Sequence, residues 1–167
     1  MAPTSSESRM NTYTLRVIKK YKDKHILVDT NIALLYIIGS VDPSLIPTTK
    51  RTAGFNRGDF EQLSEFIEFF DSRLTPPHVL TEISNLLPDH RNVALGLKTF
   101  VQVSNENYEE SSALVETESF LPFGLADSAI VKVAEKGVLV LTDDGPLSGH
   151  LRSKGMDTLT MADILAI

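Results

Sequence analysis

The chain contains no cysteine, and this absence excludes disulfide bonds, thiolate zinc sites and a cysteine nucleophile. A lack of cysteine is consistent with a protein of a reducing compartment. No apolar run approaches the roughly 18 residues that a membrane-spanning helix needs. Residues 1–11 are polar and lack the apolar segment of a signal peptide. Together these absences predict a cytoplasmic protein with no membrane span.

Several motifs of α/β enzymes are also missing. There is no Gly-x-Gly-x-x-Gly after a strand, no phosphate-binding Gly-Lys-Thr/Ser loop and no Gly-x-Ser-x-Gly elbow. These absences argue against a nucleotide cofactor and against a serine hydrolase. The histidines lack the spacing of zinc ligands. Haloacid-dehalogenase phosphatases need a second aspartate two residues after the first, and Asn31 stands in that place after Asp29.

The 167 residues carry a net charge of −6, which argues against a protein that coats nucleic acid by charge alone. The charge does not exclude an enzyme that acts on nucleic acid, because bound cations locally invert the charge of clustered carboxylates. The length fits one domain with a sizeable core. We expect a loose tail over residues 1–12 and a single domain over residues 13–167.

Two short apolar runs, Ile26–Val28 and Val138–Leu141, predict buried strands. Helical patterns and two weaker strand patterns surround them. The predicted helices cover residues 13–24, 30–38, 59–71, 77–87, 93–103, 108–115, 125–135, 146–154 and 162–165, and the weaker strands cover residues 73–75 and 158–160. Residues 39–58 are predicted to form a long loop, followed by a helix that Asp59 caps. Strands alternating with helices predict a parallel sheet covered on both faces.

Four acidic residues lie at element ends or helix edges, and each has an ordinary structural explanation. Asp29 directly follows the first strand and would cap the next helix. Glu82 lies at the edge of an apolar stripe and would be a solvated rim residue. Asp127 lies in the first turn of its helix, where the helix dipole favours an acid. Asp144 belongs to a turn after the second strand, and its neighbour Asp143 is the alternative that would face a site.

The joint arrangement of these acids indicates a metal site. In open α/β sheets, ligands bind beyond the carboxyl ends of the strands. Carboxylates that meet there provide the hard oxygen ligands that Mg²⁺ and Mn²⁺ prefer. Asn31 and Thr142 lie close in sequence to the first and last acids, and their side chains would orient a carboxylate or a phosphate by hydrogen bonds.

These segments resemble the PIN-domain family of metal-dependent nucleases, which includes the VapC-type toxins. The resembling segments are 26–31, 75–87, 124–130, 140–147 and 159–165. The resemblance implies an α/β/α sandwich with a central parallel sheet, and hydrolysis of RNA phosphodiester bonds. It implies that Mg²⁺ or Mn²⁺ is held by Asp29, Glu82, Asp127 and Asp144. Thr142 matches the threonine of the family's Thr-x-Asp pattern, and Asn31 matches the asparagine after its first acid.

Many small members of this family are toxins of toxin–antitoxin pairs and are commonly dimers. The resemblance therefore implies an antitoxin protein as a partner, and a homodimer. The chain departs from a typical small toxin in two segments, residues 1–24 and residues 39–58, which are additional. Because of these two additional segments, a PIN-like protein with a role other than a toxin is also possible.

RNA that approaches an acidic site needs basic side chains nearby. The candidates are Lys50, Arg51 and Arg57 in the predicted loop and Arg152 in a late helix, and the other explanation is that each is a solvated surface charge. An alternative function keeps the fold without the chemistry. The chain would then be a catalytically inactive PIN-like protein that binds a protein partner or RNA.

Overall fold

The structure, a computed structural model, describes the backbone from residue 5 and the side chains from residue 12, both to residue 167. The helices are α1 (Ser5–Tyr21), α2 (Thr30–Val41), α3 (Arg57–Glu68), α4 (Pro77–Leu86), α5 (Arg91–Val103), α6 (Ser111–Leu114), α7 (Phe120–Glu135), α8 (Gly145–Ser153) and α9 (Met161–Leu165). The strands are β1 (His25–Val28), β2 (Ser72–Thr75), β3 (Asn105–Glu106), β4 (Leu139–Leu141) and β5 (Thr158–Leu159). Over this part of the chain, no helix is both long and apolar enough to span a membrane.

The strands form one sheet in the order β3-β2-β1-β4-β5, and all neighbours are parallel. Leu27 of β1 pairs with Leu74 of β2 on one side and with Val140 of β4 on the other. The strand order therefore runs outward from β1 in both directions, which places a topological switch point between β1 and β4. The predicted α/β fold with a central parallel sheet is confirmed, and its helices are consistent with a three-layer α/β/α sandwich.

The centre of the sheet is apolar on both faces because helices cover it. Ile26 and Leu27 of β1 and Val140 of β4 have no accessible surface. Helix α2 follows β1 after a single residue and is apolar nearly all round, as expected of a helix enclosed in a core. The core thus fixes the position of the chain where β1 ends and α2 begins.

The first helix differs from its prediction. Helix α1 begins at Ser5, before the predicted start at Tyr13. Residues 1–4 of the predicted tail lie outside the described residues.

The segment after α2 is shorter and better packed than predicted. Helix α2 continues to Val41, a 3₁₀ helix occupies Pro43–Leu45, and α3 begins at Arg57, so the loop predicted over residues 39–58 was too long. Ile46 and Thr52 are fully buried in this segment. The Thr52 hydroxyl donates to the carbonyl oxygen of Ile46 at 2.8 Å.

Helix α3 is capped by Asn56, whereas the sequence predicted Asp59 as the cap. The Asn56 side-chain oxygen accepts from the Asp59 N–H, and the Asp59 carboxylate accepts from the Asn56 N–H at 2.9 Å. This reciprocal pair is a capping box, which uses an acid at the third helical position. Asp59 therefore contributes to the cap from inside the helix.

Three features near the sheet edge and α7 were not predicted. Strand β3 is two polar, exposed residues long, and only its pairing with β2 defines it. Helix α6 begins at Ser111, so Tyr108 lies in a loop instead of starting the helix. Helix α7 begins at Phe120, before the predicted start at Leu125, and is kinked at Gly124, where φ is +82°. Glycine is the residue that adopts this left-handed conformation without steric cost.

Gly39 provides a test of the packing between α2 and α3. A methyl group at Gly39 would overlap the ring of Phe60, whereas a methyl group at Gly54 would meet nothing within 4 Å. We expect Gly39→Ala to lower the free energy of unfolding, because overpacking costs about 1–3 kcal/mol and outweighs the gain in helix propensity. Gly54→Ala is the control and should be neutral or slightly stabilising. Urea unfolding of both variants measures the difference, and equal stabilities would contradict this packing.

Candidate functional site

Asp29 lies between β1 and α2, with only 4% of its surface exposed. Its N–H donates to the carbonyl oxygen of Leu141, which extends the pairing of β1 with β4 by one residue. Its Oδ1 accepts from the N–H of Ile32 at 2.9 Å, so Asp29 does cap α2. The cap uses one carboxylate oxygen and leaves the other to face the end of β4.

Thr142 connects the two acids that follow β1 and β4. Its side chain is fully buried, and its hydroxyl donates to Oδ2 of Asp29. The same hydroxyl oxygen accepts from the N–H of Asp144 at 3.0 Å. The Thr142 N–H donates to the carbonyl oxygen of Leu159 in β5. One threonine therefore fixes the ends of three neighbouring strands and the relative position of two acids.

Glu82 reaches the same edge of the sheet from helix α4. Its Oε2 accepts from the hydroxyl of Thr30, the first residue of α2, at 3.2 Å. Because Thr30 directly follows Asp29, this hydrogen bond places Glu82 next to the buried acid. The role of Thr30 was not predicted, and the only signal for it in the sequence is a hydroxyl residue directly after the first acid.

Asp127 lies three residues after the kink at Gly124, in the first turn of the second part of α7. Burial, together with the negative charges of Asp144, Glu82 and Asp29, raises the pKa of Asp127 to about 7. Burial also raises the pKa of Asp29 to about 6, against the hydrogen bonds from Thr142 and Ile32. The four predicted acids therefore act on one another electrostatically across one region.

Of the two acids in the turn after β4, the contacts favour Asp144 over Asp143 as the residue that joins Asp29, Glu82 and Asp127. The Asp143 carboxylate accepts from the N–H of Met161 at 2.7 Å, at the start of α9. The Asp144 carboxylate caps α8 by accepting from the N–H of Leu147, and its charge acts on Asp127. The charges of both residues raise the pKa of Asp29. Asn31 is half-buried in the first turn of α2, next to this group.

The donor chemistry of this group, hereafter the acid cluster (Asp29, Glu82, Asp127 and Asp144), fits a hard divalent cation. All four contribute carboxylate oxygens, and within the described residues none of them forms an ion pair with Lys, Arg or His. In the side-chain positions that the structure describes, however, no three His, Asp or Glu residues meet closely enough to hold a metal ion together. Binding of a cation by three of these carboxylates would therefore require them to lie closer together than they do here.

The basic residues predicted to bind RNA lie away from the acid cluster or are engaged elsewhere. Phe60 packs on Gly39, and Arg57 precedes Phe60 by three residues, so Arg57 lies toward the far end of α2 from Asp29. The 12 residues of α2 span about 18 Å. Lys50 and Arg51 are exposed in the segment between α2 and α3. An RNA contact by these three residues stays a prediction.

Arg152 is committed to internal contacts. Its guanidinium donates to the side chain and the carbonyl oxygen of Thr158, at 3.1 and 3.3 Å, and lies 3.6 Å from the carboxylate of Asp163. It also lies over the ring of Tyr13. These contacts connect α8, β5, α9 and α1, which gives Arg152 a structural role.

No protein-family model and no curated protein matches this chain. The resemblance to the PIN-domain nucleases therefore rests on the sequence segments of this chain alone.

Thr142 allows a direct test of the connection between the two strand ends. We expect Thr142→Val to lower the free energy of unfolding by about 1–3 kcal/mol, because it leaves a buried carboxylate oxygen and an N–H without their partner. Thr142→Ser keeps the hydroxyl and is the matched control. Urea unfolding at pH 7 in EDTA measures both. A valine variant as stable as the serine variant would show that the hydroxyl does not hold Asp29.

Asp127→Asn tests the repulsion within the acid cluster. The pKa of Asp127 is raised in the folded state, so its ionised form destabilises the fold at pH 8, and this penalty disappears as the pH falls from about 7 to 4. In EDTA we expect the variant to be about 1–2 kcal/mol more stable than the wild type at pH 8. The difference should vanish near pH 4. Asp89→Asn, at an exposed position between α4 and α5, is the control and should show no such trend.

Proposed function

We propose that this protein is a metal-dependent endoribonuclease of the PIN type. The observation that carries the proposal is the hydrogen-bond pattern of Thr142, which connects Asp29 to Asp144 at the switch point of a parallel sheet. The bond from Thr30 to Glu82 brings in a third acid. An oxygen-rich group at the carboxyl ends of central strands is where an open α/β sheet binds its ligands.

The proposed cofactor is Mg²⁺ or Mn²⁺, and the acid cluster would hold it. A divalent cation held by these acids would supply a water of lowered pKa and would neutralise charge on a phosphate. Asp29 is suited to a ligand role because two hydrogen bonds fix its orientation. Hydrogen-bond donors that contact a carboxylate in this way orient metal-binding carboxylates in many proteins.

The remaining acids are suited to contact the substrate side of the cluster. Asp144 is exposed and Asp127 and Glu82 are partly exposed, so the cluster opens to solvent away from the buried Asp29. Among the described residues, no hydrogen-bond donor engages the carboxylate of Asp127, which is therefore free to accept a proton from an attacking water. Asn31 would help to position a carboxylate or a phosphate from the first turn of α2.

RNA as the substrate, an antitoxin protein as a partner and a homodimer are part of the same proposal. They rest on the family resemblance alone. The alternative function is a PIN-like module without catalysis that binds a partner or RNA. In that case Asp29, Glu82 and Asp144 would keep their hydrogen bonds, but the acid cluster would bind no divalent cation with useful affinity.

Cleavage of a mixed pool of structured RNAs tests the proposal. We expect cutting with Mn²⁺ or Mg²⁺ and none with EDTA. Asp29→Asn should reduce the rate by roughly 100-fold or more, because it removes a charged ligand from the most constrained position. Asp89→Asn changes an exposed acid by the same chemistry and should cut at the wild-type rate.

Two results would count against a nuclease. The first is metal-dependent cutting that survives in Asp29→Asn, which would point to a contaminating enzyme. The second is a wild-type protein that neither cuts RNA nor binds Mn²⁺ in calorimetric titration. That second result would favour the partner-binding module.

A further inference from the structure

A cavity of about 430 Å³ opens beside the acid cluster. It lies between α4, the start of the second part of α7 and the loop after β3. Glu82 lines this cavity and also belongs to the acid cluster, so the two spaces share a wall. The volume lies within the roughly 300–1,000 Å³ typical of small-ligand sites. The other lining residues used below are Asn85, Tyr108, Leu125 and Ala126.

The cavity is poorly suited to a phosphate. No Lys or Arg lines it, and its two acids are Glu82 and Glu109. Glu109 is paired with Lys136 outside the lining, whereas the one partner of Glu82 in the described part of the chain is the Thr30 hydroxyl. The basic residue in the lining is His78, whose Nε2 is hydrogen-bonded to the Ser111 hydroxyl at 2.8 Å. A negatively charged group inside the cavity would therefore meet Glu82 with no Lys or Arg to offset its charge. The charges of the lining therefore favour an uncharged ligand, or the uncharged part of a larger ligand.

The apolar lining suits a flat ring. Tyr108 is 75% exposed, although it is a large aromatic residue, and Leu125 of α7, which also lines the cavity, is 37% exposed. A planar ring between them would cover apolar surface that is now in contact with water. Stacking of a base on an aromatic side chain is the common way in which proteins hold unpaired nucleotides.

Asn85 supplies a polar group for the edge of such a ring. Its side-chain amide has both donors and an acceptor, which matches the mixed edges of nucleobases. Glu82 and Asn85 are three residues apart on α4, so they are neighbours on one face of the helix. A single nucleotide could therefore contact Asn85 with its base while its phosphate approaches the acid cluster.

We propose that this cavity binds one unpaired nucleobase of single-stranded RNA, stacked on Tyr108 and recognised at its edge by Asn85. The base would anchor the strand so that its adjacent phosphodiester lies at the acid cluster. This inference rests on the proposed nuclease function for its substrate. The pocket itself is testable without any cleavage.

Uncharged ribonucleosides are the probe, because they are not repelled by the acids. Adenosine, cytidine and uridine are titrated into the ¹⁵N-labelled full chain in EDTA, with ribose as the control ligand. We expect saturable chemical-shift changes at the amides of Asn85, Leu125 and Ala126 for at least one nucleoside, and none with ribose. The absence of saturable changes with all three nucleosides would overturn the proposal.

Variants of Tyr108 identify the stacking contact. Tyr108→Ala should weaken nucleoside binding roughly tenfold, as loss of one stacked base does. Tyr108→Phe keeps the ring and should bind within about threefold of the wild type. Leu121→Ala removes another exposed side chain, 91% accessible, and should have no effect. Equal binding by the alanine variant and the wild type would overturn the assignment to Tyr108.

RNA cleavage by the same variants separates this inference from the nuclease proposal. Tyr108→Ala should raise KM for RNA roughly tenfold and largely preserve kcat, since the ring binds and does not react. If nucleosides bind but the wild type cuts no RNA, the nuclease proposal fails and the pocket stands. If RNA is cut with an unchanged KM in Tyr108→Ala, the pocket assignment fails and the nuclease stands.

Discussion

The hydrogen bond from Thr142 to Asp29 is the interaction on which the acid cluster depends. β1 and β4 are adjacent at the switch point, so the residues that follow them must leave the sheet side by side. A buried carboxylate at that position would be costly without partners. The Thr142 hydroxyl and the N–H of Ile32 offset this cost and fix the direction of both oxygens. Asp144 is then positioned by the same hydroxyl.

The rest of the cluster opposes folding when no cation is present. Asp127 and Glu82 add negative charge next to Asp29, and within the described residues no basic side chain pairs with any of them. Like charges held together raise the free energy of the folded state. Any cation that binds the folded state alone recovers this energy by linkage. This repulsion is the energy that the proposed cation would offset.

The positions of the acids could be predicted because each depends on local sequence. An apolar strand followed by an acid fixes Asp29 and Asp144 to the carboxyl end of the sheet, whatever else the chain does. The two-residue strand β3 could not be predicted, since its residues are polar and only tertiary pairing with β2 defines it. The contact of Thr30 with Glu82 was hidden for a similar reason. It joins residues that are 52 positions apart.

The cavity beside Glu82 depends on the parts of the chain that local sequence specifies least. One wall is the loop after β3, which carries Tyr108, and another follows the kink at Gly124. Two members of the acid cluster, Asp29 and Asp144, instead follow the two central strands β1 and β4, while Glu82 and Asp127 lie on helices α4 and α7. Rigid strands hold reacting groups precisely enough for chemistry, whereas loops tolerate change and set what is bound. Under the proposed function, a site divided in this way would keep its chemistry when the loop changes, and its choice of base would vary independently of its ability to cut.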